Sequence, residues 1–212
     1  IKRYLSPGCE VLAIVKANAY GHGAVDIAHA LTRQGIGRFA VASLDEGIAL
    51  RQAGLSTPIL VLGALFEEQM SDLVAHRLTP VVSDGCILPA LAKAADSHLA
   101  PYPIHLKVET GMGRLGFSHE ELLSLLDNPL LRSPLQVEGV MTHLADADGE
   151  DSAFTERQLG AFRAVLEQIR RRGLTLPLVH AANSAAIVRY PGAHFSLVRP
   201  GIMLYGYHTL LA

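Results

Sequence analysis

The sequence contains no tryptophan, only two cysteines, and no apolar run near the roughly 18 residues that would suggest a membrane span. Cys9 and Cys86 lack CxxC spacing, which argues against a disulfide framework and a zinc finger and fits a reducing, cytoplasmic compartment. Positive charge is not in surplus: 18 basic against 20 acidic side chains leave a formal net charge of -2. That balance argues against nucleic-acid binding and points to a small-molecule partner, with no membrane involved. The first residues do not read as a signal peptide, and no internal repeat, low-complexity tract or linker divides the chain.

What is present is half hydrophobic, and 212 residues suffice for one substantial core, so a single domain over 1–212 is expected. The sequence begins at Ile1 without a methionine and stops at Leu210-Leu211-Ala212 without a terminal cap, so the expectation is a fragment of a longer protein. Strand-like apolar runs at 11–15, 38–41, 59–62, 79–82, 104–108, 137–142, 178–180 and 195–198 alternate with helix-like segments. Ser43 with Glu46 and Ser118 with Glu121 stand at capping-box spacing, and Gly54 and Gly173 sit where helices should end. The longest helix, about 153–172, carries Phe154, Leu159, Phe162, Val165, Leu166 and Ile169 at helical spacing; its arginine tail suits a helix C-terminus. Eight such alternations in this length predict a (β/α)8 TIM-type barrel, whose functional residues gather at the C-terminal ends of the strands.

The polar residues expected there are Lys16 after the first strand, Lys107 and Glu109 after the fifth, His143 after the sixth, Asn183 and Ser184 after the seventh, and Arg199 after the eighth. Lys16 closes the apolar run Val11-Leu12-Ala13-Ile14-Val15 and is followed by Tyr20-Gly21-His22-Gly23, whose glycines let backbone approach a ligand. Two readings are open. The lysine reaches into water along its stem, or it is desolvated and acts as an amine nucleophile toward a carbonyl, a candidate Schiff-base site.

Gly111-Met112-Gly113-Arg114-Leu115-Gly116 formally matches a dinucleotide fingerprint, yet the acidic residue such a site needs at the end of the next strand is absent, since Glu138 lies near that strand's start. The alternative is a glycine-shaped turn that points Arg114 inward. Ser184 and the Gly201 and Ile202 amides follow strands seven and eight, where barrels build phosphate sites; ordinary capping by Asn183-Ser184 is compatible with that. With Tyr20 they would hold a phosphate while Lys16 faces the carbonyl end of the same ligand, which suggests pyridoxal 5'-phosphate. A metal-dependent hydrolase, using His143, His180 and a carbamylated Lys107, would want an early HxH pair and a late aspartate, and neither is present. The acidic loop 146–151 lacks the full EF-hand spacing, so a solvated loop on the active face is preferred to a calcium site.

Together Ala13-Ile14-Val15-Lys16-Ala17-Asn18-Ala19-Tyr20-Gly21-His22-Gly23, the run from Leu106 to Gly116, Met141-Thr142-His143, Ala182-Asn183-Ser184-Ala185 and Val198-Arg199-Pro200-Gly201-Ile202 resemble the N-terminal barrel of the bacterial alanine racemases, fold-type III pyridoxal-phosphate enzymes. The resemblance implies that Lys16 binds the cofactor covalently and serves as one of two catalytic bases, and that Tyr20, Ser184, Gly201 and Ile202 contact the phosphate. It implies that Arg199 bonds the pyridine nitrogen with His143 orienting it, and that Asn183 joins the cofactor site. Arg114 would contact the ring phenolate and lie near the substrate carboxylate, positioned by Lys107, which is carbamylated in many members. Ile14, Leu60 and Leu62 would wall the ring. The family often has aspartate where this chain has Glu109, whose extra methylene is tolerable if it stays peripheral. The second base, a tyrosine from the C-terminal β-domain of a partner subunit in a homodimer, is not among these 212 residues. The implied activity is interconversion of L- and D-alanine for peptidoglycan; the fragment alone would bind cofactor with little activity. The alternatives are a racemase of serine or broader specificity, or a non-enzymatic single-barrel pyridoxal-phosphate carrier.

Overall fold

A computed structural model of the chain describes residues 1–96 and 100–207. Eight strands, β1 (Glu10–Ile14), β2 (Arg38–Val41), β3 (Ile59–Val61), β4 (Thr79–Val82), β5 (Tyr102–Lys107), β6 (Leu135–Met141), β7 (Leu178–His180) and β8 (Leu197–Val198), form one sheet. Each strand from β1 to β7 pairs in parallel with its sequence neighbours, and β8 pairs with β1. Ser196 closes the remaining seam. Its amide donates to Val179 O (3.2 Å), its hydroxyl accepts from Val179 N (2.7 Å), and Arg199 N donates to Ala182 O (2.9 Å). The expected (β/α)8 barrel is the fold observed.

Helices α1 (Lys16–Tyr20), α2 (Ala24–Arg33), α3 (Leu44–Gln52), α4 (Met70–Ala75), α5 (Leu88–Ala95), α6 (His119–Leu125), α7 (Ala153–Arg171) and α8 (Ser184–Arg189) intervene. Both expected capping boxes form, Ser43 with Glu46 on α3 and Ser118 with Glu121 on α6. In α7, Leu159, Phe162, Val165 and Ile169 turn inward, while Phe154 and Leu166 are only half-buried. Its arginine tail is occupied locally: Arg170 and Arg171 pair with Glu167 and Arg172 with Asp127. None of the helices described is long and apolar enough to cross a membrane.

Alternation along the strands divides the core in two. Leu12, Ile14, Ala40, Leu60, Val81, Met141 and Leu197 fill the barrel interior, while Phe39, Ile59, Val61, Ile104 and their neighbours pack outward against the helices. Strand ends differ from expectation for local reasons. Phe195 has φ +47, which keeps β8 to two residues, and Val15 leaves the extended region at ψ 21, so β1 ends at Ile14.

Between β5 and β6 the register slips by one residue: Ile104 faces Val137 but His105 faces Gly139, leaving Glu138 as the bulged residue. A Cβ on Gly139 would lie 2.5 Å from the His105 ring and 2.8 Å from Leu178 O. Gly139→Ala should therefore cost about 1–3 kcal/mol of stability in urea unfolding. Gly160→Ala, whose added Cβ meets nothing within 4 Å, should cost nothing in the same measurement.

Candidate active site

The C-terminal strand ends surround a cavity of about 460 Å³. Most site residues singled out from the sequence line it: Lys16 and Tyr20 beyond β1, Leu62 beyond β3, Lys107 at the end of β5 and Arg114 in the loop after it, His143 beyond β6, Asn183 and Ser184 beyond β7, and Arg199, Gly201 and Ile202 beyond β8; Glu109 is not in the lining. Ile14 also reaches the wall. Leu60 does not: it is the interior-facing neighbour one pleat below, fully buried in the barrel layer. Sequence reasoning missed Ala42, Gly63, Leu115, Met141, Asp148 and Ala185, which carry no distinguishing chemistry or fall in loops.

Lys16 enters through an unusual backbone. Ala17, Asn18, Ala19 and Tyr20 all have φ between 50 and 54, a full left-handed turn built without glycine. Each residue with a Cβ is disfavoured there by about 1–2 kcal/mol, so the turn persists only because it is held. Ala19 N donates to Val15 O (2.9 Å), Gly23 N to Asn18 O (3.0 Å) and Ala24 N to Asn18 Oδ1 (2.8 Å). Lys16 is half-buried, its amine 5.9 Å from the Tyr20 ring centroid. Tyr205, which the sequence did not flag, stacks on His22 and tilts against Tyr20 while its hydroxyl donates to Ile14 O (3.1 Å).

Opposite lies a polar cradle. Ser184 Oγ accepts from Gly201 N (2.9 Å) and Met203 N (3.3 Å), and a Cβ on Gly201 would lie 2.6 Å from the Tyr20 hydroxyl oxygen. Only glycine admits that approach. Burial raises the Tyr20 pKa, so its hydroxyl keeps a proton to donate. Asn183 caps α8 by accepting from Ala186 N (3.0 Å).

Arg199 is buried at 4% exposure. Its Nη2 donates to Thr142 O (2.8 Å), Ala181 O (2.9 Å) and His143 Nδ1 (3.1 Å), and its Nη1 to His180 Nδ1 (3.2 Å). Guanidinium has donors only, so both Nδ1 atoms must accept, which fixes each neutral imidazole as the Nε2–H tautomer. His180 Nε2 then donates to His105 Nδ1 (2.8 Å), and His105 Nε2 to Glu138 (3.3 Å), which also faces Arg38. Burial, then the Arg199, Arg114, Lys107 and Lys16 charges, pushes His143 down to about 3. Burial and then the neighbouring His105, Arg199 and Arg38 lower His180 too, while burial alone pulls Arg199 down to about 9, still a cation at neutral pH. Among the described residues the Arg199 Nε–H has no protein acceptor.

The GxGxxG-like run does not lead into a helix as a dinucleotide site would. It loops back, so that Phe117 N bonds Lys107 O (2.8 Å) and Glu109 N bonds Phe117 O (2.8 Å), and α6 begins only beyond Ser118. Glu109 is not peripheral: its carboxylate accepts from the amides of Gly111, Gly113 (2.9 Å) and Arg114 (3.3 Å) and shapes the loop that carries Arg114 to the cavity. Those amide bonds bring its pKa below the ordinary carboxylate range despite its partial burial. Lys107 is the more deeply buried of the two lysines, at 3% exposure. Burial first, and then Arg114 and Arg199, lower its amine to about 8 against an opposing effect of Glu109.

The family model described as "Alanine racemase, N-terminal domain" matches residues 1–209. The chain belongs to that family. An alanine racemase of Carboxydothermus hydrogenoformans is 46% identical over 206 residues, covering 97% of this chain and 55% of its own length. Among solved structures, alanine racemase of Clostridium difficile 630 in complex with cycloserine superposes with TM-score 0.91 at 31% identity, over 98% of this chain and 57% of that one. Alanine racemase of Bartonella henselae, solved with covalently bound pyridoxal phosphate, gives TM-score 0.85 at 30% identity, over 97% of this chain and 56% of that one. The chain thus spans little more than half the length of the relatives it matches.

Lys107 gives this alanine racemase-type barrel a pH-dependent stability. Its pKa is about 8 folded and near the ordinary 10.5 unfolded, so across that window the unfolded chain binds the extra proton and stability rises with pH. In CO2-depleted buffer, urea midpoints of wild type and Lys107→Met should converge as pH climbs from about 8 to about 10.5; parallel curves would show that the buried amine carries no such penalty.

Proposed function

We propose that this chain holds pyridoxal 5'-phosphate in the strand-end cavity and forms the cofactor-binding part of an enzyme interconverting L- and D-alanine, a cytoplasmic homodimer supplying D-alanine for peptidoglycan. The observation that carries the reading is the convergence, in one cavity of an alanine racemase-family barrel, of the Lys16 amine, the Arg199 guanidinium with its spare Nε–H, and the glycine-floored cradle of Tyr20, Ser184 and Gly201. These residues fit the group. The hydroxyls of Tyr20 and Ser184, gathered beside Gly201, suit a phosphate, the apolar Ile14 and Leu62 suit the faces of a ring, and the Arg199 cation suits an unprotonated ring nitrogen. The free thiols of Cys9 and Cys86 accord with a reducing compartment.

Bound there, the cofactor supplies an electron sink that acidifies the Cα–H of an attached amino acid. In this reading Lys16 would hold the cofactor, and its Nζ would take up or return the proton on one face of the substrate. Arg199 donates to the ring nitrogen and, staying charged, discourages its protonation; the neutral His143 and His180 keep the guanidinium in place. Arg114 receives the phenolate and the substrate carboxylate. Lys107, whose amine is neutral in useful amount near pH 8, reacts with CO2 to give a carbamate and a proton, and the new anion faces Arg114. The second base, on the opposite face, is the partner-subunit tyrosine that membership of this family implies.

Incubation of the complete polypeptide with pyridoxal 5'-phosphate, borohydride reduction and peptide mapping should find the label on Lys16; label elsewhere, or none, overturns the assignment. Alanine should racemise faster than serine in the same preparation. Labelled bicarbonate should give a carbamate resonance that Lys107→Arg removes; its persistence in that variant would place the modification elsewhere.

A further inference from the structure

We propose that Glu46 is a positioning residue for Lys16: its carboxylate clasps the left-handed turn to the neighbouring strand-end loop and so fixes where the amine stands. The consequence for cofactor rests on the reading of Lys16 given above. The clasp itself does not.

Glu46 lies in the first turn of α3, where a capping box needs a single carboxylate oxygen to accept from the N-cap amide. Oε2 does this, accepting from Ser43 N (3.3 Å) and from Ala42 N (2.7 Å). Oε1 is surplus to the cap, and it reaches across 29 positions of sequence to accept from Ala17 N at 2.6 Å. That amide is the first one past Lys16 and opens the left-handed turn. The turn's own bonds serve later groups, Ala19 N on Val15 O and Gly21 N on Ala17 O, and the last ladder bond of this edge ends at Val15 N on Ala40 O. A conformation so unfavourable for residues with a Cβ persists only where its surroundings over-determine it. The carboxylate is the partner that sets its starting point.

The same group registers the adjoining wall. Ala42 lines the cavity, and its carbonyl accepts from Gly63 N (3.0 Å) in the loop beyond β3. A Cβ on Gly63 would lie 2.3 Å from that oxygen, so the two loops are in direct backbone contact. One carboxylate thus ties the loops after β1 and β2 together, and through Ala42 the loop after β3, on the side of the cavity from which Lys16 and Tyr20 project.

Glutamine offers one acceptor oxygen and turns a donor toward the other amides, so Glu46→Gln can satisfy Ala17 or the cap but not both. Ser43→Ala removes the other half of the capping box, the hydroxyl accepting from Glu46 N (3.3 Å), and leaves the Ala17 contact intact. The two variants separate capping from positioning. In the complete polypeptide, amide exchange of peptides covering 16–20, measured without cofactor, should accelerate in Glu46→Gln and stay at the wild-type rate in Ser43→Ala. The dissociation constant for pyridoxal 5'-phosphate should rise at least about tenfold in Glu46→Gln, the scale of one charge-assisted hydrogen bond, and stay within about twofold in Ser43→Ala. Equal effects of the two variants, or no change at 16–20 in Glu46→Gln, overturn the proposal. If wild type is not labelled at Lys16 by borohydride, the cofactor reading fails, and the exchange data still decide the clasp. Should Glu46→Gln not fold, Glu46→Asp, which keeps the charge and withdraws it by one methylene, carries the same comparison.

Discussion

The mouth of this barrel depends on keeping one guanidinium charged inside it. Arg199 has no carboxylate partner among the described residues; two carbonyls and two imidazoles receive its protons. A buried cation without a counter-ion is strongly disfavoured unless acceptors receive its donors, as four do here for Nη1 and Nη2 while the Nε–H is left toward the cavity. The acceptors must stay neutral to do so, and burial together with the cationic neighbours keeps them neutral. The direction of the chain then follows from a donor-only start: Arg199 to His180, His180 to His105, His105 to Glu138. The one anion reached along it, Glu138, lies on β6 beside Arg38 and is partly exposed. Reversal of any link would set two donors or two acceptors face to face.

Room for that chain comes from the backbone. The bulge takes the Glu138 backbone out of register with β5, its carboxylate accepts from His105, and Gly139 leaves the space into which the His105 ring fits. The seam that Ser196 closes lets β8 be two residues long and still deliver Arg199, Gly201 and Ile202 to the cavity. At the mouth the constraint is reversed: the left-handed turn after Lys16 is conformationally costly, and the hydrogen bonds to it offset that cost. The interior is thus organised by charge, the rim by backbone geometry, and the two meet at the cradle where Tyr20 overlies Gly201.

The apolar runs disclosed all eight strands to within two residues at either end, because strands buried on both faces leave an unbroken hydrophobic signature. Phe195 looked like part of the eighth, but its positive φ breaks the strand, and hydrophobicity carries no trace of that. The lining residues were legible because a barrel brings the residue after each strand to one place. Leu60 was misplaced by the period of two that separates it from Leu62. The left-handed turn was invisible for a different reason: Ala17, Asn18, Ala19 and Tyr20 are residues whose own preferences favour other conformations, and the groups that hold them come from distant sequence. His105 and His180, 75 positions apart, have no spacing that announces a contact.

Glu109 shows how a departure from a family's habit can be absorbed by the backbone around it. The side chain here accepts from three amides of the segment it precedes. Gly111 at φ +129 and Gly113 at φ +69 turn those amides toward one point, which residues with a Cβ would resist. The Glu109 carboxylate therefore gathers the loop that carries Arg114 to the cavity. Because Glu109 is also the one carboxylate whose charge opposes the lowering of the Lys107 pKa, the residue that shapes the Arg114 loop moderates the neutrality of the lysine beside it. Position and protonation at this corner are set by the same group, so a substitution at Glu109 moves both together.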